Sequence, residues 1–549
     1  MFQTKKAAAP VTAVKKSSGN KFLSGATKIS SVTTSGNGAV KYTTSGSPFV
    51  DQLASAGLWI KPRTFAEAAS DQSILWGENP LNALRFIGYL RAVTRTTEVL
   101  NQKIPVHGEG IKTESIYRMM WLAVFHKETF LKNLPVFVAL GSWHDIFTML
   151  QTDLVYNGWD NKVLPWNEIT SFILTALNDP KQVNLVKKYL PHIKAASHCT
   201  TIEAQANNAV AKYLCARIFG NKAGDHTTYA KYRRMKATGN AHQWQQLISQ
   251  ARFNEIEFNK IAGKALSILV KSKTFLTKTN LRTKFSEWIG AKAVKGESVK
   301  TTDFVFDLLS PLGDNPEKHQ IDLINQQFQT LIDNSGTMSD FPLIVVRDTS
   351  GSMGSQAIGL KVSANTVAKS IALQMSYFLK GEFSDSYIEF NSTALIRKWQ
   401  GSTPAEKYMN DNCSVVSSTE FMKVINLFCD LKSQGIPEED FPKGIVCISD
   451  GDFNKAALGK TNFETAKEHL RNYFSAAYVD NFKFVFWNVF NGFYSSAPKV
   501  KFESVQLDKN VYYFGGFSPS VIKFISGASN AEEAALSALD QDALKLLVL

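Results

Sequence analysis

The sequence has few cysteines and no long apolar run, and both absences narrow the class of protein. Its five cysteines show no C-x-x-C spacing and are odd in number. This pattern argues against a disulfide framework or a zinc site and favours a reducing compartment. No stretch reaches the roughly 18 uncharged apolar residues of a membrane span, and the basic N-terminus lacks the apolar segment of a secretory signal. We therefore expect a cytoplasmic protein that does not associate with membranes.

The patterns of common catalytic centres are also missing. The chain contains no P-loop, no G-x-S-x-G element and no Cys/His constellation, and its scattered histidines lack the H-E-x-x-H spacing of zinc enzymes. The stretch Asp348-Thr-Ser350 differs from the D-[ST]-G pattern of aspartic proteases because serine occupies the glycine position. These absences argue against an enzyme.

The length of 549 residues is too great for one hydrophobic core and predicts two or three domains. Residues 1–47 are rich in Ser, Thr, Gly, Ala and Lys with little apolar content, which predicts a disordered basic arm. We expect a helical domain over 48–340, an α/β domain over 341–527 and a C-terminal helix over 528–549. The boundary before 341 rests on a change in composition, because residues 311–342 turn acidic and rich in Gly and Pro.

The region from Phe49 to about Lys300 shows helical periodicity throughout, as in Pro80–Arg91, where apolar residues recur every third position. Asn79 and Pro80 form a cap and first-turn pair. The predicted helices are short and joined by polar segments. Antiparallel helix pairs stacked in series, a HEAT-like solenoid, are one solution. An irregular all-α domain is the alternative, because no strict repeat period is present.

From residue 341 onward, apolar runs alternate with amphipathic segments, which predicts a doubly wound, mostly parallel sheet. The overall fold class is therefore α + α/β. We predict strands over 342–347, 386–390, 394–399, 443–449, 482–488 and 511–514. We predict helices over about 357–380, 419–433, 461–477 and 530–548.

Polar side chains follow the first predicted strand in the pattern D-x-S-x-S, with Asp348, Ser350 and Ser352. Thr419 opens a predicted helix, where its hydroxyl can also cap that helix, and Asp450 ends another apolar strand. Ends of parallel strands meet at one edge of a sheet. Two carboxylates and three hydroxyls suit Mg²⁺, with Mn²⁺ and Ca²⁺ as alternatives. The competing interpretation of the first loop is a Ser/Gly-rich turn.

Positive charge is concentrated in the helical region. The net charge is +13, and residues 201–300 hold 18 basic against 6 acidic side chains. Basic and aromatic residues lie together around Tyr229–Lys236, a composition that suits phosphates and unpaired bases. A merely solvated basic surface is the alternative. The candidate RNA-binding residues are Lys187, Lys188, Lys212, Lys222, Lys231, Tyr232, Arg233, Arg234 and Lys236.

The part of the chain from 341 to 527 resembles the von Willebrand factor A domain. Asp348, Ser350 and Ser352 match the first element of its metal-ion-dependent adhesion site, Thr419 matches its threonine, and Asp450 its later aspartate. The resemblance implies a Rossmann-like fold and a binding module in which a partner's acidic group or a phosphate completes the metal coordination. Ser417-Ser418 departs from the glycine or asparagine that these domains often carry beside the threonine.

A long helical region followed by such a domain resembles the Ro autoantigen, or TROVE, architecture, and an uncharacterised family of phage, giant-virus and plant proteins of that layout. Stretches that carry the resemblance include Pro80–Arg85, Lys188–Pro191 and Phe486–Asn488. It implies a ring of HEAT-like helices that binds structured or misfolded non-coding RNA. We expect a monomeric ribonucleoprotein component. The alternative is a metal-dependent protein-interaction or virion-associated scaffold, with an acidic protein partner and no RNA.

Overall fold

A helical region precedes a six-stranded mixed sheet with its own helices, which confirms the predicted order of an α and an α/β part. The computed structural model describes residues 32–34, 37, 39–60, 63–99, 102–220, 226–239, 243–272, 276, 281–295, 297–302, 304–312, 315–335, 342–357, 360–379, 383–413, 415–416, 418–456, 460–490, 509–517 and 528–549. Within these ranges, no helix combines the length and the apolar character that crossing a membrane requires.

Helices dominate the first part, and several neighbours in sequence pack against each other. Asn79 accepts a hydrogen bond from the backbone N–H of Asn82 at 3.0 Å, and Pro80 takes the first helical position, so the predicted cap is confirmed. The helices are α1 Pro48–Ala56, α2 Phe65–Glu78, α3 Pro80–Arg91, α4 Lys112–Phe125, α5 Lys127–Leu140, α6 Trp143–Asn157, α7 Trp166–Asn178, α8 Val183–Tyr189, α9 Ile202–Phe219, α10 His226–Thr238, α11 Gln243–Ser249, α12 Gly263–Lys271, α13 Arg282–Lys295, α14 Val305–Leu309 and α15 Lys318–Ser335.

One β-hairpin precedes these helices and a second interrupts them. Strands β1 (Val32–Thr34) and β2 (Val40–Tyr42) pair antiparallel, and so do β3 (Val93–Val99) and β4 (Gln102–Glu109). The expectation of an uninterrupted helical region is therefore wrong between α3 and α4. Five of the seven residues of β3 are Val or Thr, which suits a strand because β-branched side chains fit the pleated surface.

The first hairpin also corrects the prediction of a disordered arm over 1–47. Lys41 and Tyr42 of β2 are buried, and Ser47 caps α1 through the N–H of Val50. Residues 1–31, with most of the lysines of the predicted arm, lie outside the described residues. The described structure thus begins before the helical region, at β1.

The sheet has the strand order β10-β9-β8-β5-β6-β7. Among the described strands of this sheet, only β7 runs antiparallel to its neighbour. The six strand predictions are confirmed to within two residues at each end. The strands are β5 Ile344–Asp348, β6 Ser386–Phe390, β7 Ala394–Lys398, β8 Gly444–Ser449, β9 Lys483–Asn488 and β10 Val511–Gly515. The chain leaves β5 toward β6 and later returns to its other side at β8, so the direction of winding reverses between β5 and β8.

Helices in this part pack against the strands: α16 against β5, β6 and β8, and α18 against β6 and β7. The predicted helix over 461–477 is split in two, and so is the predicted C-terminal helix. The helices are α16 Ala364–Phe378, α17 Pro404–Asn410, α18 Met422–Ser433, α19 Asn462–Leu470, α20 Ala476–Asn481, α21 Ala531–Leu539 and α22 Asp542–Lys545.

One hydrophobic core runs through both parts of the chain. Helix α1 packs against β10, and the C-terminal helices pack against α3 and β4. Gly88 permits this contact, because a Cβ there would lie 2.7 Å from Leu547 Cδ1. The side chain of Gln541 accepts from His107 N–H at 2.7 Å and donates to His107 C=O at 2.9 Å. A second, smaller core is built mainly by residues between 244 and 299.

Candidate metal centre

Asp348 is the last residue of β5 and is fully buried. Arg347 pairs with Ile448 of the neighbouring parallel strand β8, so the two strands end side by side. One carboxylate oxygen of Asp348 accepts from the N–H of Ser350 at 2.8 Å, and the other accepts from the hydroxyl of Ser449. These bonds fix the carboxylate while each oxygen keeps a further lone pair for a cation.

The two predicted serines follow in a short turn. Ser350 is buried, Ser352 is half-buried, and their hydroxyl oxygens lie 3.2 Å apart. Ser352 also hydrogen-bonds to Asp450, which connects the first loop to the end of β8. The D-x-S-x-S element therefore forms a compact cluster of oxygen atoms.

Thr419 belongs to a loop that runs beside this cluster. Val416 N–H donates to Thr349 C=O at 2.9 Å, and Asn454 N–H donates to Thr419 C=O at 2.9 Å. Thr419 is buried, but helix α18 begins at Met422, so the prediction that Thr419 opens and caps the helix is wrong. The loop is held by contacts with its neighbours instead. Ser417 lies outside the described residues.

The two carboxylates affect each other. Burial raises the pKa of Asp348, and the charge of Asp450 raises it further. Burial also raises the pKa of Asp450, which accepts from the N–H of Asp452 at 2.9 Å. Two buried acids in one crevice hold negative charge at a cost, which a divalent cation would relieve.

Lys41 is a part of this site that the sequence did not indicate. It comes from strand β2, far away in sequence, and only 2% of its surface is exposed. Its ammonium lies 4.4 Å from the ring centroid of Phe453, and its charge counteracts the rise in the pKa of Asp450. The side chain of Asn37 from the same hairpin donates to Asp452 C=O. A single lysine between Val40 and Tyr42 carries no motif that would have revealed this position.

The donor set fits a hard cation. All five predicted residues lie in or beside the three neighbouring loops that follow β5, precede α18 and follow β8, and all their side-chain donors are oxygens. Mg²⁺ prefers one or two carboxylates supplemented by hydroxyls and water. Within the described ranges, no three or more His, Cys, Asp or Glu side chains are grouped so that they alone could hold a metal ion. The crevice could thus hold Mg²⁺ through Asp348 and Asp450 with help from the hydroxyls.

The candidate RNA-binding residues are only partly brought together. Lys231, Arg233 and Arg234 are exposed on α10, whereas Lys187, Lys188, Lys212 and Lys236 are half-buried. Lys236 Nζ donates to Lys188 C=O at 3.0 Å, which joins the ends of α10 and α8. Lys222 lies outside the described residues.

Tyr232 occupies a different environment from its neighbours on α10. It is fully buried, and its hydroxyl donates to Pro191 C=O at 3.0 Å. Its ring is closed off from solvent and so cannot stack on a base in this conformation, which corrects the sequence-based expectation for that residue.

Comparison with known proteins bears on the second part of the chain. Residues 343–545 match the model of a family described as a domain of unknown function, DUF7788. No curated protein matches the chain. The matched region contains the six-stranded sheet, the five candidate metal ligands and the C-terminal helices, so the similarity includes the whole crevice apart from Lys41.

Proposed function

We propose that the second part of this chain is a von Willebrand factor A-like binding module that docks an acidic or phosphorylated ligand through a divalent cation. The observation that carries the proposal is the buried pair Asp348 and Asp450, with three hydroxyl-bearing residues, at the edge where the paired strands β5 and β8 end. Ligands bind at this position in open α/β sheets. The strand order and the single antiparallel edge strand among the described strands support the comparison with A domains.

The residues of the crevice would contribute to cation binding in different ways. Asp348 and Asp450 would supply negative charge to Mg²⁺, while Ser350, Ser352 and Thr419 would add neutral oxygens directly or through water. A bound Mg²⁺ supplies an electrophilic position for an anionic group of the ligand. The ammonium of Lys41 reduces the net negative charge of the crevice.

A thermal-unfolding titration with Mg²⁺ tests the metal site. Mg²⁺ at about a hundred times its dissociation constant should stabilise the wild-type protein by about 2.7 kcal/mol, because it binds only the folded state. Asp348→Asn should abolish this response. Asp430→Asn, at an exposed position on α18, is the matched control and should keep it. An equal response of wild type and Asp348→Asn would refute the site.

A second function is favoured by the exposed cations on α10. We propose that the helical region binds RNA, as in Ro-type proteins, through a surface that includes Lys231, Arg233 and Arg234. The contacts of α1 with β10 and of the C-terminal helices with α3 support an arrangement in which HEAT-like helix pairs are closed by the A domain. Phosphate contacts of this kind make affinity depend steeply on salt.

Filter binding of a structured RNA at several salt concentrations tests this function. Replacing Lys231, Arg233 and Arg234 together by Gln should weaken binding and reduce the salt slope by up to about 3, roughly one for each phosphate that is no longer neutralised. The control replaces three exposed lysines of the α/β part: Lys398, Lys423 and Lys443. Loss of binding in both triple variants would contradict a site on α10, and no binding at low salt would refute RNA recognition.

A further inference from the structure

A cavity in the helical region has a lining that suits an anion. It has a volume of about 230 Å³ and lies where α6, the end of α8 and α10 meet. Its lining includes His144, Thr148, Lys188, His192 and Lys236. Among the described residues that line it, none is Asp or Glu. The cavity therefore combines two ammonium groups and two imidazoles with no carboxylate.

The lysines are held at the cavity by the fold. Lys236 Nζ uses one proton to reach Lys188 C=O at 3.0 Å, which leaves two N–H donors of that group for a ligand. Burial lowers the pKa of Lys236, which indicates an ammonium partly removed from water. Lys188 Nζ lies 5.0 Å from the ring centroid of Tyr189. An anion that contacts both ammonium groups would offset the cost of bringing them together.

The imidazoles add hydrogen-bond donors. His144 Nδ1 lies 3.0 Å from Lys112 Nζ and 2.7 Å from Thr148 Oγ1, so among the described contacts Nε2 is the ring nitrogen left for a ligand. Burial and the charges of Lys236 and Lys194 lower the pKa of His192. His192 has at least one ring N–H in either protonation state. Both rings can donate to phosphate oxygens.

We propose that this cavity binds a phosphate monoester, the 5′-phosphate of a nucleotide. Its volume is below the ~300 Å³ at which sites for drug-sized ligands begin, so it suits one phosphoryl group with its ribose and not a dinucleotide. Tyr189 and Phe147 also line it and provide apolar surface for the sugar or the base. The phosphate can come from a free nucleotide or from the 5′ end of an RNA. The proposal does not depend on the metal site or on RNA binding by α10.

Calorimetric titration of the full chain tests this assignment with AMP, adenosine, inorganic phosphate and a short RNA with or without a 5′-phosphate. AMP and phosphate should bind, and adenosine should not. Lys236→Met and Lys188→Met should each weaken AMP binding by about tenfold or more, because a hydrogen bond to a charged group is removed. Lys236→Arg should retain binding, and Lys423→Met, at an exposed position on α18, should bind as wild type does.

The outcomes separate the alternatives. Competition between AMP and the 5′-phosphorylated RNA, but not the 5′-hydroxyl RNA, identifies RNA ends as a source, while binding of AMP alone identifies the free nucleotide. The proposal is refuted if neither AMP nor phosphate binds at low salt, or if Lys423→Met weakens binding as much as Lys236→Met does. It is also refuted if Lys236→Met binds AMP normally. If the Met variants without ligand unfold at the same temperature as wild type, their weaker binding is not caused by a loss of folding.

Discussion

Glu109 lies at the junction between the helical region and the sheet, and its ionisation should be visible in the stability of the protein. It ends strand β4, is 3% exposed and accepts a hydrogen bond from the hydroxyl of Tyr89 at 2.7 Å. Two glycines let the chain approach it closely: a Cβ at Gly57 would lie 2.8 Å from Glu109 Oε2, and one at Gly516 would lie 3.2 Å away. The carboxyl is thus enclosed by segments from both parts of the chain.

Burial raises the pKa of Glu109 from an ordinary 4.5 to about 7, although the Tyr89 hydrogen bond opposes this rise. Below pH 4.5 the carboxyl is protonated in both the folded and the unfolded state, so its ionisation does not change the free energy of unfolding. Between 4.5 and about 7 the folded protein keeps a proton that the unfolded chain releases, so stability falls as pH rises. At about 1.36 kcal/mol per pKa unit, the full loss is about 3 kcal/mol above pH 7.

Glu109→Gln removes the ionisation and keeps an oxygen for Tyr89. We expect its free energy of unfolding, relative to wild type, to increase by about 2.5 kcal/mol between about pH 5 and pH 8. Urea unfolding followed by tryptophan fluorescence measures the difference, and contributions of other titrating groups, such as Asp348, cancel between the two proteins. Glu98→Gln, exposed on the same hairpin, should show no such trend. A pH-independent difference for Glu109→Gln would refute the assignment of a raised pKa to a buried, protonated carboxyl.

Two further predictions concern charges placed by the fold. Lys41→Met should tighten Mg²⁺ binding by about 1–2 kcal/mol, because a nearby cation repels the metal, and it should destabilise the metal-free protein. Calorimetry measures the first effect and thermal unfolding the second. Weaker Mg²⁺ binding by the variant would contradict the role given to Lys41. Glu114→Ala should destabilise the helical region by about 3–5 kcal/mol, because it leaves the buried guanidinium groups of Arg63 and Arg118 without their shared carboxylate. Urea unfolding measures this loss. Glu128→Ala, at an exposed position, should have little effect in the same assay.

The strands and the crevice were predictable because their signals are local. Each apolar run from 344 to 515 is short, is bounded by polar residues and ends within two residues of its predicted limits. Asp348 and Asp450 each follow such a run, and parallel pairing of β5 with β8 then places both at one edge without further information. Hydrophobic pattern and strand direction suffice for these features.

The remaining features depend on contacts between distant segments. Lys41 reaches the crevice only because β2 packs beside the loop after β8, and Tyr232 is buried only because α10 packs on α8. Neither residue differs locally from an exposed one in a basic segment, so composition ranked Tyr232 with its exposed neighbours and left Lys41 in a disordered arm. The same reasoning applies to Lys188 and Lys236: the sequence placed both on a general basic surface, whereas the fold separates them from Lys231, Arg233 and Arg234 and puts them at a cavity. Charge clustering along a chain therefore indicates a basic surface, but packing decides which cations can act on the same anion.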